Sequence, residues 1–156
     1  MRENELVDLL IKNGYRISAA ESCTGGMFAS HIVNVPNASK VFDMSFVTYS
    51  NESKIELLGV NSKTIEAVGV VSEEVAREMA EGVMKKSGAS VGVGITGIAG
   101  PTGATKTKPI GMVCFGICIN GDTKTYTNIF SGDRTSVREQ STEFAINTII
   151  KLIKEN

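Results

Sequence analysis

The sequence predicts a three-layer α/β/α sandwich with a mixed β-sheet. β-type and helical segments alternate over the first two thirds of the chain, which is typical of parallel strands covered by helices on both faces. Asn120-Gly121 then separates two β-type runs, 110–119 and 123–130, and Asn-Gly is the strongest short-range signal of an antiparallel hairpin. No linker, repeat or low-complexity segment interrupts the 156 residues, so we expect one domain, 1–156.

The first half of the chain is predicted to hold two strands and five helical segments. In chain order they are a helix that ends at Asn13, a strand over 16–21, a helix over 27–33, a strand over 45–49, a helix from Ser50 or Asn51 to Leu58, a short piece from Ser62, and a long helix from Ser72 to about Lys86. Gly59 suits the left-handed position that ends a helix. Glu73 and Glu74 would complement the dipole at the start of the long helix.

The second half begins with a buried-type strand, 90–96, which continues into the glycine-rich run 97–103. That run cannot form regular structure, because it contains three glycines and a proline. After the predicted hairpin, Ser131-Gly132-Asp133 leads into a final helix. Its apolar positions are Val137, Phe144, Ile146, Ile149, Ile150 and Ile153.

Composition excludes several classes of function. The 16 basic and 17 acidic side chains give a net charge of −1, which argues against broad electrostatic binding of nucleic acid. One histidine and three cysteines nearly exclude zinc chemistry, so we expect no metal and no cofactor. The polar start at 1–5, the short apolar runs and the irregularly spaced cysteines predict a cytoplasmic protein without a signal peptide or membrane span.

The first candidate site is the run from Ser22 to Gly26. A serine between a strand end and a helix start lies among unpaired main-chain N–H groups, which could stabilise an oxyanion or hold a phosphate. Gly25 and Gly26 would let a ligand approach the backbone closely. The alternative is a helix-capping serine or threonine in a flexible turn. Cys23 is a rival nucleophile, or else a small buried side chain that fills space.

A serine nucleophile needs a base, and the sequence offers two candidates. His31 is the only histidine, but it lies about 10 Å along the helix from its start, so a structural or surface role is favoured. Lys54 lies one turn into the helix after the second strand and can point back at the carboxyl ends of the strands, where ligands bind in parallel sheets. It could act as a base if burial depressed its pKa. The alternative is a solvated helix lysine.

The second candidate is the run from Thr96 to Pro101. The preceding glycines satisfy G-x-G-x-x-G over 92–97, but Pro101 forbids the helix that a dinucleotide-binding motif requires, and no acidic residue follows until Asp122. The Thr96 hydroxyl and the free amides after it could instead bind a carboxamide or a phosphate. An ordinary tight connection is the alternative.

The third candidate lies at the start of the last helix. Asp133 is expected to cap that helix, and Arg134 and Arg138 share one helix face, where two guanidinium groups could clamp a phosphate. A solvated helix face is the alternative. Cys114 and Cys118 lie on one face of a strand and are assigned to core packing.

Taken together, these motifs resemble the CinA C-terminal domain family, and the resemblance covers about 5–153. In order they are Ala20-Glu21-Ser22-Cys23-Thr24-Gly25-Gly26, Val47-Thr48-Tyr49-Ser50-Asn51-Glu52-Ser53-Lys54 with Leu57-Leu58-Gly59-Val60, Val70-Val71-Ser72-Glu73-Glu74-Val75-Ala76, Thr96-Gly97-Ile98-Ala99-Gly100-Pro101 and Lys108-Pro109-Ile110-Gly111. The N-terminal partner domain of longer CinA proteins is not seen, so we expect the stand-alone form. The loop from Thr102 to Lys108 departs from the family pattern, in which a second glycine usually follows Gly-Pro.

The resemblance implies an activity, since the enzymatic members of the family are nicotinamide mononucleotide (NMN) deamidases. They hydrolyse the carboxamide of NMN to nicotinate mononucleotide and ammonia. The resemblance implies Ser22 as nucleophile and Lys54 as general base, with Tyr49 and Thr96 around them. The substrate-binding residues that it implies are Thr24, Gly25, Gly26, Gly97, Gly100 and one or both of Arg134 and Arg138, either of which could meet the 5′-phosphate.

We therefore expect an NMN deamidase of pyridine-nucleotide recycling that forms a homo-oligomer such as a dimer, without nucleic-acid or membrane partners. The alternative is a catalytically inactive nucleotide-binding module of the same family. A third interpretation, an accessory protein of competence or DNA repair, gains no support from the near-zero net charge.

Overall fold

A five-stranded mixed sheet lies between two layers of helices in the computed structural model, which describes all 156 residues. The strands are β1 (Ile17–Glu21), β2 (Phe42–Val47), β3 (Val91–Gly97), β4 (Met112–Ile119) and β5 (Asp122–Ile129). They lie in the order β2-β1-β3-β4-β5; β1 is parallel to both of its neighbours, and the β4–β5 hairpin is antiparallel. The predicted three-layer sandwich with a mixed sheet is confirmed.

Six α-helices cover the sheet, three on each face. They are α1 (Glu3–Asn13), α2 (Met27–Val33), α3 (Asn51–Leu58), α4 (Ser62–Val68), α5 (Glu73–Ser87) and α6 (Arg134–Glu155). Helices α1, α2 and α6 contact one another on one face, whereas α3 and α4 pack against α5 on the other. No helix is both long enough and apolar enough to cross a membrane.

Local capping chemistry sets where most of these helices begin and end. The side chains of four N-cap residues accept a hydrogen bond from a main-chain N–H in the first turn, and these are Ser50, Asn61, Ser72 and Asp133. Asp133 is confirmed as a predicted cap, and of the two predicted starts of α3, Ser50 and Asn51, it is Ser50 that caps the helix. Gly59 has φ +72° and ends α3 in the left-handed conformation that the sequence predicts.

Helix α5 packs unusually close to the sheet, and glycines in the strands make this possible. A Cβ at Gly94 in β3 would lie 2.3 Å from the carbonyl oxygen of Ala76, and one at Gly116 in β4 would lie 2.4 Å from the same atom. Gly92 and Gly94 of the G-x-G-x-x-G run thus admit α5 against the strand, whereas the third glycine, Gly97, lies against Val113 of β4.

The main core lies between the sheet and the α1, α2 and α6 layer, where 26 buried residues form one cluster. Phe28 and Phe115 are fully buried there, and the ring of Phe115 lies 4.6 Å from that of Phe144. Fully buried aromatic and aliphatic side chains of this kind each contribute about 1.5–3 kcal/mol. This core supports the strands whose carboxyl ends carry the site.

The second strand was predicted three residues too late. β2 spans 42–47 instead of 45–49, so that Thr48 and Tyr49 follow the strand and do not belong to it. β2 is an edge strand with a partly exposed burial pattern, and its polar residues Asp43 and Ser45 weaken the alternation that marks a strand. The hairpin strands begin at Met112 and Asp122, within two residues of the predicted positions.

The register of the three parallel strands brings three hydroxyl side chains to one level. Glu21 lies opposite Val47 on one side and Ile95 on the other, so the next residues along the strands are Ser22, Thr48 and Thr96. The main-chain bonds Ser22 N to Ile95 O, at 3.0 Å, and Thr48 N to Glu21 O, at 2.8 Å, extend this pairing by one residue. Ligands of open α/β sheets bind at this edge, outside the carboxyl ends of the strands.

Candidate active site

Ser22 and Lys54 meet in a buried contact at this edge. The Lys54 Nζ atom lies 3.0 Å from the Ser22 Oγ atom, although 32 residues separate them in sequence. Ser22 is 8% exposed and Lys54 only 1%. Lys54 is the fourth residue of α3, and its side chain points towards the start of that helix, as helical side chains do. The structure thus brings together the two residues that the sequence proposes as nucleophile and base.

The surroundings of Lys54 favour the neutral amine. Burial lowers the pKa of Lys54 to about 8, and no carboxylate pairs with it. Its other partners are the carbonyl oxygens of Thr48, at 2.6 Å, and Tyr49, at 3.4 Å. A neutral amine has two N–H bonds and one lone pair. If the two carbonyls accept the N–H bonds, the lone pair faces the hydroxyl of Ser22.

Glu21 holds the start of α2, immediately beside Ser22. Its carboxylate is completely buried and accepts hydrogen bonds from the main-chain N–H groups of Phe28, at 2.9 Å, and Ala29, at 3.0 Å. These are donors of the first helical turn, and the helix dipole favours a negative charge there. The expectation that this helix start serves a ligand is therefore wrong for these two amides, because the protein's own carboxylate occupies them.

The 22–26 turn is also held from its carbonyl side. Arg138 on α6 donates from Nε to the carbonyl oxygen of Cys23, at 2.9 Å, and from Nη2 to that of Thr24, at 3.1 Å. Through these two bonds Arg138 supports the turn. The N–H groups of Cys23 and Thr24, in contrast, make no hydrogen bond to a protein oxygen.

Cys23 lies next to the nucleophile but is poorly suited to replace it. Burial, with a contribution from the negative charge of Glu21, raises the pKa of the Cys23 thiol to about 12. The side chain is 6% exposed. Since the thiolate is the reactive form, this thiol is inert at neutral pH, and the filling role is favoured over the catalytic one.

Ser22 and Lys54 open into a cavity of about 190 Å³, which we call the inner cavity. Its lining includes Thr96, Tyr49 and Arg134. Thr96 is buried, and its hydroxyl donates to the carbonyl of Val70 at 3.0 Å. The Tyr49 hydroxyl, in contrast, belongs to an exposed side chain and accepts a hydrogen bond from Arg134 Nη2 at 3.0 Å.

A larger cavity of about 490 Å³, the outer cavity, continues from the inner one. The two share a wall that consists of Tyr49, Val70, Val71, Gly97, Ala99 and Arg134. The loop after β3 and the residues before α5 form the rest of the outer cavity, and Lys108 lies at its edge. The two cavities together can therefore hold a molecule that extends well beyond the group that reacts at Ser22.

Comparisons with known proteins agree on one family. The sequence matches the model of the CinA C-terminal domain over residues 1–153. The chain belongs to the CinA C-terminal domain family. It is 48% identical to a CinA-like protein of Kosmotoga olearia over 147 residues, which make up 94% of this chain and 36% of that protein. A CinA-like protein of Petrotoga mobilis is 46% identical over 153 residues, or 98% of this chain and 38% of the relative. The chain thus spans just over a third of the length of these curated relatives.

Solved CinA superfamily structures have the same fold. One from Klebsiella pneumoniae superposes with a TM-score of 0.96 at 31% identity, covering 99% of this chain and 96% of that one. Another from Escherichia coli gives 0.93 at 35% identity, with 97% and 90% covered. The α/β fold of this chain is therefore that of the CinA superfamily.

Within this CinA domain, some residues implied by the resemblance do not line either cavity. These are Thr24, Gly25, Gly26, Gly100 and Arg138. Thr24 is buried, and Gly100 acts through its carbonyl, which accepts from Arg134 Nη1 at 2.7 Å. Their binding of substrate stays a prediction, whereas the structure assigns Arg134, and not Arg138, to the lining.

Sequence reasoning assigned no role in the site to Lys108 or Asn51, both of which line the cavities of this CinA domain. Asn51 begins α3, directly after the cap Ser50, so its proximity to Lys54 follows once the helix start is known. Lys108 lies 54 residues beyond Lys54, at the end of an irregular loop. The only signal for it in the sequence is its place in the Lys108-Pro109-Ile110-Gly111 motif, which belongs to the family resemblance.

Proposed function

We propose that this CinA domain is a nicotinamide-nucleotide amidohydrolase, which converts NMN to nicotinate mononucleotide and ammonia. The observation that carries the proposal is the 3.0 Å contact between Ser22 Oγ and a buried Lys54 whose pKa is lowered to about 8. About a tenth of such a lysine is neutral at pH 7, which is enough to act as a base. Activated serines of this kind serve acyl transfer.

In the first step, Ser22 Oγ attacks the carboxamide carbon while Lys54 Nζ takes the hydroxyl proton. The carbonyl oxygen becomes negatively charged in the tetrahedral intermediate and needs donors close to it. The free N–H groups of Cys23 and Thr24 adjoin the nucleophile and are the donors that we assign to this role. Arg138 supports the proposal for one of these donors, since it binds the Cys23 carbonyl, which lies in the same peptide unit as the Thr24 N–H, and thereby orients that unit.

In the second step, the carbon–nitrogen bond breaks and the protonated Lys54 returns its proton to the leaving nitrogen, so that ammonia departs. An ester between Ser22 and the nicotinoyl group remains. Lys54, neutral again, then takes a proton from water, whose oxygen attacks the ester carbon. Collapse of this second intermediate breaks the bond to Ser22 Oγ, which regains a proton from Lys54, and releases nicotinate mononucleotide.

The test of this proposal is the release of ammonia from NMN by the purified chain. We expect ammonia and nicotinate mononucleotide in equal amounts, and we expect Ser22→Ala to reduce the rate at least about 10³-fold. The hydroxyl contributes little to folding, so the variant should retain its circular dichroism spectrum. Equal rates for the wild type and Ser22→Ala would overturn the assignment of the nucleophile.

The same experiment distinguishes the proposed amidohydrolase from the alternative function, a binding module without activity. A catalytically inactive nucleotide-binding module would bind NMN in a calorimetric titration without releasing ammonia at any pH between 6 and 10. Thr96 and Tyr49 are proposed to complete the site beside the reacting groups, with Arg134 towards the nucleotide portion.

A further inference from the structure

The lining of the two cavities carries only positive charge. It contains Lys54, Lys108 and Arg134 and no aspartate or glutamate, although Lys108 also borders a separate pocket with Glu73 and Glu74. None of the three forms a salt bridge anywhere in the chain, although the net charge is −1 and acidic side chains are plentiful. Unpaired cations in a concave surface favour an anionic ligand.

Lys54 belongs to the reacting end, whereas Lys108 lines only the outer of the two cavities and Arg134 lies in the wall that they share. Arg134 bonds only to neutral oxygens, those of Tyr49 and Gly100. Lys108 likewise donates only to a neutral oxygen, the carbonyl of Val68. Neither cation therefore loses an ion pair when an anion binds. An ammonium group has three N–H donors, and two of those of Lys108 remain available.

Bare backbone at Gly69 makes room for the Lys108 amine. A Cβ at position 69 would lie 2.6 Å from Lys108 Nζ, so any side chain there would displace it. Gly69 has φ +85° and lines the outer cavity beside Lys108. The hydrogen bond to the Val68 carbonyl places the Lys108 amine in this space, which distinguishes it from Lys106, an exposed lysine of the same loop that lines neither cavity.

We infer that Lys108 and Arg134 form a phosphate subsite in the outer cavity, which binds a phosphate monoester whose reactive carboxamide lies at Ser22. This inference rests on the proposed function and deepens it: Lys108 selects the nucleotide over the corresponding nucleoside. The carboxamide end is uncharged and meets Ser22 and Lys54, whereas the dianionic end meets the two free cations. The charge distribution of the lining thereby sets the direction in which the substrate lies.

The kinetic test compares Lys108→Met with the matched control Lys106→Met, on NMN and on nicotinamide riboside. We expect Lys108→Met to raise KM for NMN about 10- to 100-fold, as loss of a charge-assisted hydrogen bond predicts, with kcat little changed. Turnover of nicotinamide riboside should change by less than about threefold, and Lys108→Arg should restore most of the affinity for NMN. Equal losses on both substrates, or the same loss in Lys106→Met, would overturn the subsite.

A binding test that needs no turnover separates this inference from the proposed function. In calorimetric titrations of the whole chain, ribose 5-phosphate should bind the wild type and Lys106→Met alike, and Lys108→Met at least about 10-fold more weakly. This pattern without any deamidation of NMN would support the subsite and reject the proposed reaction. Deamidation of NMN with unchanged ribose 5-phosphate binding in Lys108→Met would do the reverse. Inorganic phosphate that bound as tightly as ribose 5-phosphate would indicate a free anion instead of a nucleotide and would overturn the inference.

Discussion

The turn after β1 and the loop after β3 leave neighbouring parallel strands at the same edge of the sheet, yet the first is largely buried and the second largely exposed. Arg138 binds the carbonyls of the buried 22–26 turn, and Glu21 binds the first amides of α2, directly after it. The 98–111 loop is held by main-chain bonds such as Gly111 N to Ile98 O, at 2.7 Å, and by the bond from Arg134 to the Gly100 carbonyl, but its residues 101–107 are exposed.

The difference corresponds to two separate tasks. A reacting atom must be held within a fraction of an ångström, because a small misplacement costs orders of magnitude in rate. A binding loop instead needs free polar groups and space, which exposed loops supply. The contrast predicts that changes around the turn affect kcat, whereas changes around the loop affect KM.

The largest effect is expected at Lys54, the proposed general base, which contacts Ser22 of the turn. Lys54→Met and Lys54→Arg should each lose at least about 10³-fold in kcat, because methionine has no lone pair to accept the proton and guanidinium does not give one up near neutral pH. The wild-type rate should rise with pH through an apparent pKa near 8, since the neutral amine is the active form and burial lowers its pKa to that value. Steady-state rates between pH 6 and 10 measure this. An active Lys54→Arg would mean that the residue acts only as a fixed charge.

The same lysine predicts a pH-dependent difference in stability. The pKa of Lys54 is about 8 in the folded chain, against the ordinary lysine value of 10.5 in the unfolded chain, so the unfolded chain binds more protons between these values. The free energy of unfolding of the wild type should therefore rise relative to Lys54→Met from pH 8 to 10.5, by up to about 3 kcal/mol. Urea denaturation at a series of pH values measures it. A constant difference would show that Lys54 does not titrate on unfolding.

Arg138→Met and Arg134→Met test the two regions against each other. Removal of Arg138 leaves the carbonyls of Cys23 and Thr24 without their donors, so kcat should fall about 10- to 100-fold with KM nearly unchanged. Removal of Arg134 should instead raise KM for NMN. Steady-state kinetics of both variants provide the comparison, and the reverse pattern would mean that Arg138 binds substrate and Arg134 supports the fold.

The fold class could be predicted from the sequence because it depends on local signals, the alternating elements and the Asn120-Gly121 turn. Local signals also made Ser22 and Lys54 candidates, since they place both near strand ends, but the resemblance to the family was needed to pair them as nucleophile and base. The exact bounds of β2 were missed, because an edge strand needs no regular alternation.

The roles of Arg134, Arg138 and Lys108 could not be predicted in the same way. The two arginines share a face of α6, one turn apart, and only the packing of that helix decides that Arg134 reaches the cavity and Arg138 the turn. Lys108 depends on the path of an irregular loop, for which no periodicity exists. Glu21 belongs to an apolar strand, and its partners appear only when α2 folds back against it.

A smaller effect is expected at Glu21, which binds the first amides of α2 directly after the turn. Glu21→Gln keeps the shape but leaves one carbonyl oxygen for the two amides of α2 and removes the charge, so the free energy of unfolding should fall by about 1–3 kcal/mol. Glu52→Gln, at an exposed position in the first turn of α3, is the control and should stay within about 0.5 kcal/mol. Urea denaturation compares them. Equal changes would mean that the buried carboxylate does not hold the helix start.

The smallest effect is expected at Cys23, whose side chain lies in the same turn as Ser22 but takes no part in the proposed reaction. Its thiol is buried, and its pKa is raised to about 12, so hardly any thiolate exists at neutral pH. Cys23→Ala should therefore keep kcat within about threefold, because the Cys23 main chain, which binds Arg138 and carries the free N–H, is unchanged. The wild type should likewise resist iodoacetamide at pH 7 in its folded state. Rapid inactivation by that reagent in the wild type but not in Cys23→Ala would contradict the inert thiol. Loss of activity in Cys23→Ala with full activity in Ser22→Ala would make the cysteine the nucleophile.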